Sequence, residues 1–319
     1  MNHHIKEAKD LVTTYAAKRA GFLEIALRKS REALPYIDEA KSLKSIAEQY
    51  SNPTDMVNDE RIFAPIGEAA GISTKANNYL QTDDIKEIVI EFISNFLEPA
   101  GDYFVDELVY RFLLSKGDAL GGRMRNIVGA IAGEKLTRFL SANLRNSRLS
   151  HCYQLNGNAA WFKSDDISLE MMGQVKAIRW LKNPNQPREL RYNITVPIVS
   201  KNIDISVFNK QSIEINNAAK MKAFVSEPKN YIALGELKGG IDPAGADEHW
   251  KTASTALNRI RTSFITSGNP VQTFFVGGAI EASMAKEIFE QCMNDELGSA
   301  ANLTNQEQLA EFCDWLINL

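Results

Sequence analysis

The hydrophobic residues of this 319-residue chain change period near residue 150, and that switch constrains the fold more than any other feature. A helix with one buried face repeats its apolar positions every three to four residues, whereas a half-buried strand repeats them every two. Residues 5–29 show the helical period through Leu11, Tyr15, Ala16, Phe22, Ile25 and Leu27, and residues 36–50 show it again. Thr82-Asp83-Asp84 is a polar helix start before Ile85, Ile88, Val89 and Ile93. Phe104, Leu108, Tyr110, Phe112 and Leu113 mark a helix expected to stop near Gly117, and Met124 to Leu140 mark another beyond Gly121-Gly122. After His151 the chain turns to aromatic and β-branched residues, punctuated by Asn156-Gly157 and Asn183-Pro184-like breaks that read as turns. Tyr192–Val196, Ile203–Phe208, Tyr231–Lys238 and Val271–Phe275 read as strands. Helical faces return around Trp250–Phe264, Ser283–Met293 and after Thr304-Asn305-Gln306-Glu307, which has the spacing of a capping box. The expected class is α+β: a largely helical part over residues 1–150, and over 151–319 a mixed sheet flanked by helices.

Composition narrows the function classes. Hydrophobic residues make up 44% and charged residues 24%, so a sizeable core is expected and disorder is not. Cys152, Cys292 and Cys313 lie far apart with no CxxC pair, which argues against a disulfide framework and a zinc knuckle. The polar N-terminus, the scattered cysteines and the lack of an apolar run near the roughly 20 residues that span a bilayer point to a soluble protein of a reducing cytoplasm, which the family resemblance given below would make a bacterial one. The net charge of −4 at first disfavours DNA as a partner. Its distribution does not: residues 111–148 hold eight Lys or Arg against only Asp118 and Glu134. Such a run is either a solvated helical face or an electrostatic footprint for phosphates.

The chemical signal lies on the strands. Asp204 sits between Ile203 and Ile205, and Glu236 and Lys238 close the apolar run Ile232-Ala233-Leu234-Gly235. Side chains alternate along a strand, so Glu236 and Lys238 share a face and Leu237 takes the other. If the two strands are neighbours, Asp204 and Glu236 converge on a hard cation such as Mg²⁺, with the Leu237 carbonyl as a further oxygen ligand. Lys238 would then hold a water or neutralise a pentavalent phosphorane, which is the pattern of metal-assisted phosphodiester hydrolysis. An E-x-K on an exposed strand with an upstream Asp also arises by chance. The apolar flanks favour the chemical reading, because a buried acid is costly without a metal or partner.

The stretch from Gly235 to Ala253, reading GELKGGIDPAGADEHWKTA, resembles the catalytic segment of the AvaI/BsoBI family of type II restriction endonucleases. Phe96-Leu97-Glu98-Pro99-Ala100-Gly101, the segment from Gly117 to Asn126, Tyr192–Pro197 and the C-terminal stretch from Leu303 to Leu319 are similar to the same family. The resemblance implies a PD-(D/E)XK core, here with Ile203 where the motif has proline. It also implies a homodimer that encircles double-stranded DNA, and cleavage of C-Y-C-G-R-G after the first C to leave 5′ overhangs.

Further residues are candidates, some of them only through that resemblance. His249 is by default a helix-surface histidine; within the matching segment it becomes a candidate to accept a proton from the attacking water. Asp242 before Pro243 suits a helix N-cap, yet the resemblance suggests it accepts from a cytosine N4 amino group. Lys75, otherwise ordinary surface, is the candidate reader of the degenerate pair: A and G share only N7 as a major-groove acceptor, and a lone ammonium does not separate them. Gly117-Asp118-Ala119-Leu120-Gly121-Gly122 is expected to be a turn opening a helix, where free N–H groups with Arg123 and Arg125 would grip a phosphate. A structural helix–helix turn is its equal competitor, and Asp118 is either a base contact or a cap.

Two other functions share part of the pattern. A repair or recombination nuclease would keep the core and cut by DNA structure, and an accompanying methyltransferase gene separates it from a restriction enzyme. A non-catalytic DNA-binding protein would hold the carboxylates structurally, and the intact Asp204, Glu236 and Lys238 argue against it.

Overall fold

The computed structural model describes residues 2–212 and 217–319. Its helices are α1 (Tyr15–Glu32), α2 (Leu34–Ala47), α3 (Glu60–Ala69), α4 (Thr82–Phe92), α5 (Phe104–Asn146), α6 (Ala218–Ser226), α7 (Ala246–Thr266), α8 (Ala282–Met293) and α9 (Gln306–Ile317). Its strands are β1 (His151–Leu155), β2 (Trp161–Lys163), β3 (Val175–Asn183), β4 (Gln186–Val196), β5 (Lys201–Phe208), β6 (Tyr231–Lys238), β7 (Gln272–Gly277) and β8 (Ser299–Asn302). The mixed α+β class expected from the switch of period is the class observed.

All eight strands join one sheet in the order β2-β1-β3-β4-β5-β6-β7-β8. Pairing is antiparallel from β2 through β6 and parallel for β6–β7 and β7–β8. Alternation along the central strands feeds two cores. Leu234 and Phe275 join Trp250, Leu257 and Phe264 of α7 and Met284 and Ile288 of α8 in one cluster. Their neighbours Ala233, Phe274 and Val276 join Leu136, Leu140 and Leu144 of α5 and Phe312 and Leu316 of α9 in the other. The sheet is thus covered on both faces, which is why β6 and β7 read as continuous apolar runs rather than as alternating ones.

The chain divides into two compact units, residues 24–126 and residues 1–23 with 127–319. The first contains α2, α3, α4 and a separate core that includes Leu43, Ile62, Ile66, Val89 and Phe112. The second contains the sheet. The division differs from the boundary expected at residue 150, because residues 132–144 of α5 bury their apolar stripe on the sheet core.

Two helical expectations change. The helix expected over residues 5–29 begins at Tyr15, since the Thr13 N–H donates to the Ile280 carbonyl at 2.9 Å and its hydroxyl to Gly278 at 2.8 Å, holding that backbone out of the helix. The turn expected at Gly117–Gly122 does not exist: α5 runs unbroken for 43 residues. Each helical glycine costs about 0.5–1 kcal/mol relative to alanine. Burial of Leu108, Phe112, Leu120, Met124, Leu136 and Leu140 along the helix outweighs that local penalty. Among the described residues, no helix is long and apolar enough to cross a membrane.

Candidate active site

The site is built where β5 and β6 part. The two strands pair from Phe208↔Tyr231 to Ile205↔Gly235, so Asp204 lies one step beyond the last pair, beside the segment that carries Glu236 and Lys238. Gly235 is required there: a Cβ on it would meet the Phe274 ring of the parallel neighbour β7 at 2.2 Å. Gly239 ends the strand where α5 presses on the chain, and a Cβ there would stand 2.5 Å from the Ala132 Cβ and 2.8 Å from the Val128 carbonyl. Gly278 N–H, just after β7, donates to the Lys238 carbonyl at 2.7 Å. The end of β6 is therefore held on both sides, which keeps its two functional side chains from drifting.

Asp204 and Glu236 converge through Lys238. Lys238 Nζ donates to Asp204 Oδ2 at 2.8 Å and to Glu236 Oε2 at 2.6 Å. The Leu237 N–H donates to the same Asp204 oxygen at 2.9 Å. N–H and C=O of one strand residue point to the same side, so the Leu237 carbonyl also faces β5. Glu236 is only 4% exposed. Burial, and then the neighbouring Asp204 charge, push its carboxyl up to about 7, against the opposing pull of Lys238. Burial alone would lower the Lys238 ammonium, but the two carboxylates raise it instead.

The donor set is all oxygen. Among the described residues, no three His, Cys, Asp or Glu side chains gather as a metal cage. Two carboxylates and a carbonyl, with open positions left for water, suit a small hard cation that keeps part of its hydration shell. A closed structural zinc site has a different composition.

His249 is exposed on the first turn of α7, with Nε2 3.9 Å from where a Cβ would stand on Gly240, in the turn after Lys238. Among the described residues it makes no hydrogen bond to Asp204, Glu236 or Lys238. Its neighbour Trp250 is buried and packs edge-on against Phe275, with ring centroids 5.0 Å apart, fixing the helix that carries the histidine. Asp242 is exposed and caps the turn before α7, accepting from the Ala244 N–H through Oδ1 at 2.9 Å.

Lys75, Asp118, Arg123 and Arg125 belong to the other unit. Lys75 is exposed between α3 and α4. Asp118 is exposed in the interior of α5, where it caps nothing, and the N–H groups of residues 117–122 are inside a helix rather than free. The free N–H groups expected of a helix N-terminus are therefore not present at residues 117–122. Arg125 is exposed, whereas Arg123 is engaged: its guanidinium lies 3.1 Å from Glu32, which Arg28 also holds at 3.0 Å. The partner Glu32 escaped the sequence reading, although the i,i+4 spacing of Arg28 and Glu32 was visible in it.

The restriction endonuclease BsobI family model matches residues 1–319. The chain is similar to the type II restriction enzyme BsoBI of Geobacillus stearothermophilus, 45% identical over 320 residues, covering 99% of this chain and 98% of that protein. It is equally similar to the type II restriction enzymes AvaI of a Nostoc species and of Anabaena variabilis, 45% identical over 318 residues and 99% of each chain. With a match along its whole length and two carboxylates and a lysine gathered where two central strands part, the chain belongs to the BsobI restriction endonuclease family.

Proposed function

We propose that this protein is a Mg²⁺-dependent type II restriction endonuclease that cuts double-stranded DNA at C-Y-C-G-R-G, after the first C, leaving 5′ overhangs. The observation that carries the reading is the pair of carboxylates joined at Lys238 Nζ, one of them almost fully buried. Asp204, Glu236 and the Leu237 carbonyl would hold the ion. When bound, Mg²⁺ polarises the scissile phosphate and lowers the pKa of water beside it.

The remaining chemistry belongs to the chain. Lys238 stands between the carboxylates and can turn its ammonium to the attacking water or to the developing phosphorane charge. His249, exposed above the turn that follows Lys238, accepts the water proton. The products are a 5′-phosphate and a 3′-hydroxyl. Asp242 reads a cytosine N4 amino group with the oxygen its cap leaves over, since a carboxylate offers about four lone-pair sites. Lys75 donates to purine N7. Arg125 contacts phosphate, Arg123 does so on leaving Glu32, and Asp118 faces the DNA edge.

A palindrome is matched by two-fold symmetry, and the chain offers a surface for it. None of the 18 residues of α1 is buried, and Phe22, Leu23 and Leu27 are exposed on it, which supports a homodimer. A cognate DNA methyltransferase, protecting host sites, is the genetic partner of such an activity. The deciding experiment is digestion of a sequenced phage DNA with Mg²⁺, followed by sequencing of the fragment ends. Ends beginning Y-C-G-R at every such site support the reading, and cleavage unrelated to sequence overturns it.

A further inference from the structure

Four non-glycine residues among the described residues have a left-handed φ: Arg148, Asn193, Ser200 and Asp295. Arg148 and Asp295 follow the ends of α5 and α8, and Ser200 lies in the β4–β5 turn. Asn193 alone of the four, at φ 51°, stands inside a strand, β4. Asparagine tolerates this conformation better than most residues, but a strand has no use for it. Such a residue persists only where its surroundings hold it, and it recurs at functional sites.

Its place in the sheet gives the conformation a purpose. β4 and β5 pair from Glu189↔Phe208 to Tyr192↔Ile205, and again from Ile194↔Ile203 to Val196↔Lys201. The single step left out is Asn193 opposite Asp204. On its other side, β5 pairs with β6 only as far as Ile205↔Gly235. Asp204 is thus released from the ladder on both flanks, and its carboxylate reaches across to the Leu237 N–H and Lys238 Nζ.

We infer that Asn193 is a positioning residue for Asp204: its left-handed backbone opens the β4–β5 ladder at the one step where Asp204 must turn towards Glu236. The inference rests on the proposed reading of Asp204 as a metal ligand and adds the device that aims it. A residue of ordinary extended conformation at 193 would close the ladder and draw Asp204 into the flat sheet, away from β6. The Asn193 side chain is exposed and makes no hydrogen bond among the described residues, so the backbone rather than the amide group carries the effect.

The test compares Asn193→Gly, Asn193→Ala and Asn193→Val in the full-length protein. Glycine takes the left-handed conformation freely, alanine poorly, and β-branched valine worst. Two quantities are read: the Mg²⁺ concentration for half-maximal single-turnover cleavage of a duplex containing the site, and the rise in Tm that Mg²⁺ produces without DNA. The glycine variant is expected within about threefold of the parent in both. The valine variant should need about tenfold more Mg²⁺ and lose the Tm rise, with alanine between them; where valine prevents folding, alanine decides. A glycine variant as impaired as valine overturns the inference, because the amide side chain would then carry the role. Parent-like behaviour in both glycine and alanine or valine variants also overturns it. Asp204→Asn serves as the control: full cleavage by that variant would remove the metal site itself, a failure distinct from that of Asn193.

Discussion

The Leu237 N–H donates to Asp204 Oδ2 at 2.9 Å, tying the carboxylate on β5 to the strand that carries Glu236 and Lys238. One bond from a backbone N–H to a carboxylate thus helps set the spacing of two acids that belong to positions 32 residues apart in sequence. Because the donor is backbone, the bond survives any substitution in the cluster that leaves an acceptor oxygen at residue 204. The charge at residue 204 can therefore be removed while its anchor is kept.

Asp204→Ala and Glu236→Ala should abolish cleavage and leave specific DNA binding within about tenfold, because both residues are proposed to hold metal rather than read bases. Asp204→Asn sharpens the test: the carboxamide oxygen can still accept from Leu237, so stability should stay near that of the parent while cleavage is lost. Gel-shift and single-turnover assays on the same preparations check both halves. Full activity in any of these variants removes the metal site.

The metal-free protein should lose stability as pH rises from about 4.5 to about 7. Glu236 has a folded-state pKa raised to about 7, mainly by burial and next by Asp204. The folded protein therefore binds that proton more tightly than the unfolded chain, and the penalty is complete once both states are ionised. Its size is on the order of 3 kcal/mol, at about 1.4 kcal/mol per pH unit between the two values. Urea melts in EDTA should show this decline, Glu236→Gln should flatten it, and added Mg²⁺ should offset it in the parent alone. An equal slope in parent and variant would count against the buried-acid account.

Lys75→Ala should weaken binding to sites carrying A or G at the degenerate position about equally, by roughly 1–3 kcal/mol. The motive is the shared N7 acceptor and an exposed ammonium. Competition binding with the two duplexes measures it. A loss confined to one purine would show that Lys75 reads more than N7.

His249→Ala should slow the chemical step by roughly 10²–10⁴-fold if the imidazole takes the water proton. Stability should hardly change, because the side chain is exposed and the packing of α7 rests on the neighbouring Trp250. Single-turnover rates and thermal melts separate the two effects. Loss of stability and binding with an intact chemical step would assign His249 to the helix and leave the proton to another acceptor.

The sequence by itself determined the local elements wherever burial imposes a period. β6 was legible to its bounds at Tyr231–Lys238, and α8 nearly so, because one-sided or two-sided burial writes itself into the spacing of apolar residues. Glu236 and Lys238 were legible for the same reason: alternation alone puts them on one face. Tertiary structure decided the rest. The short strand β8, Ser299-Ala300-Ala301-Asn302, has no strand-forming side chains and exists because β7 offers it a parallel edge. The last helix starts one residue later than its capping box suggested, since the Asn305 side-chain Oδ1, not Thr304, accepts from the Glu307 and Gln308 N–H groups. Helix α5 passes through Gly117, Gly121 and Gly122 because long-range packing outweighs local propensity, and Arg123 finds Glu32 only once the helices fold together. The approach of Asp204 to Glu236 is also a tertiary fact, for strand order and register lie in backbone pairings between distant segments that no local pattern encodes.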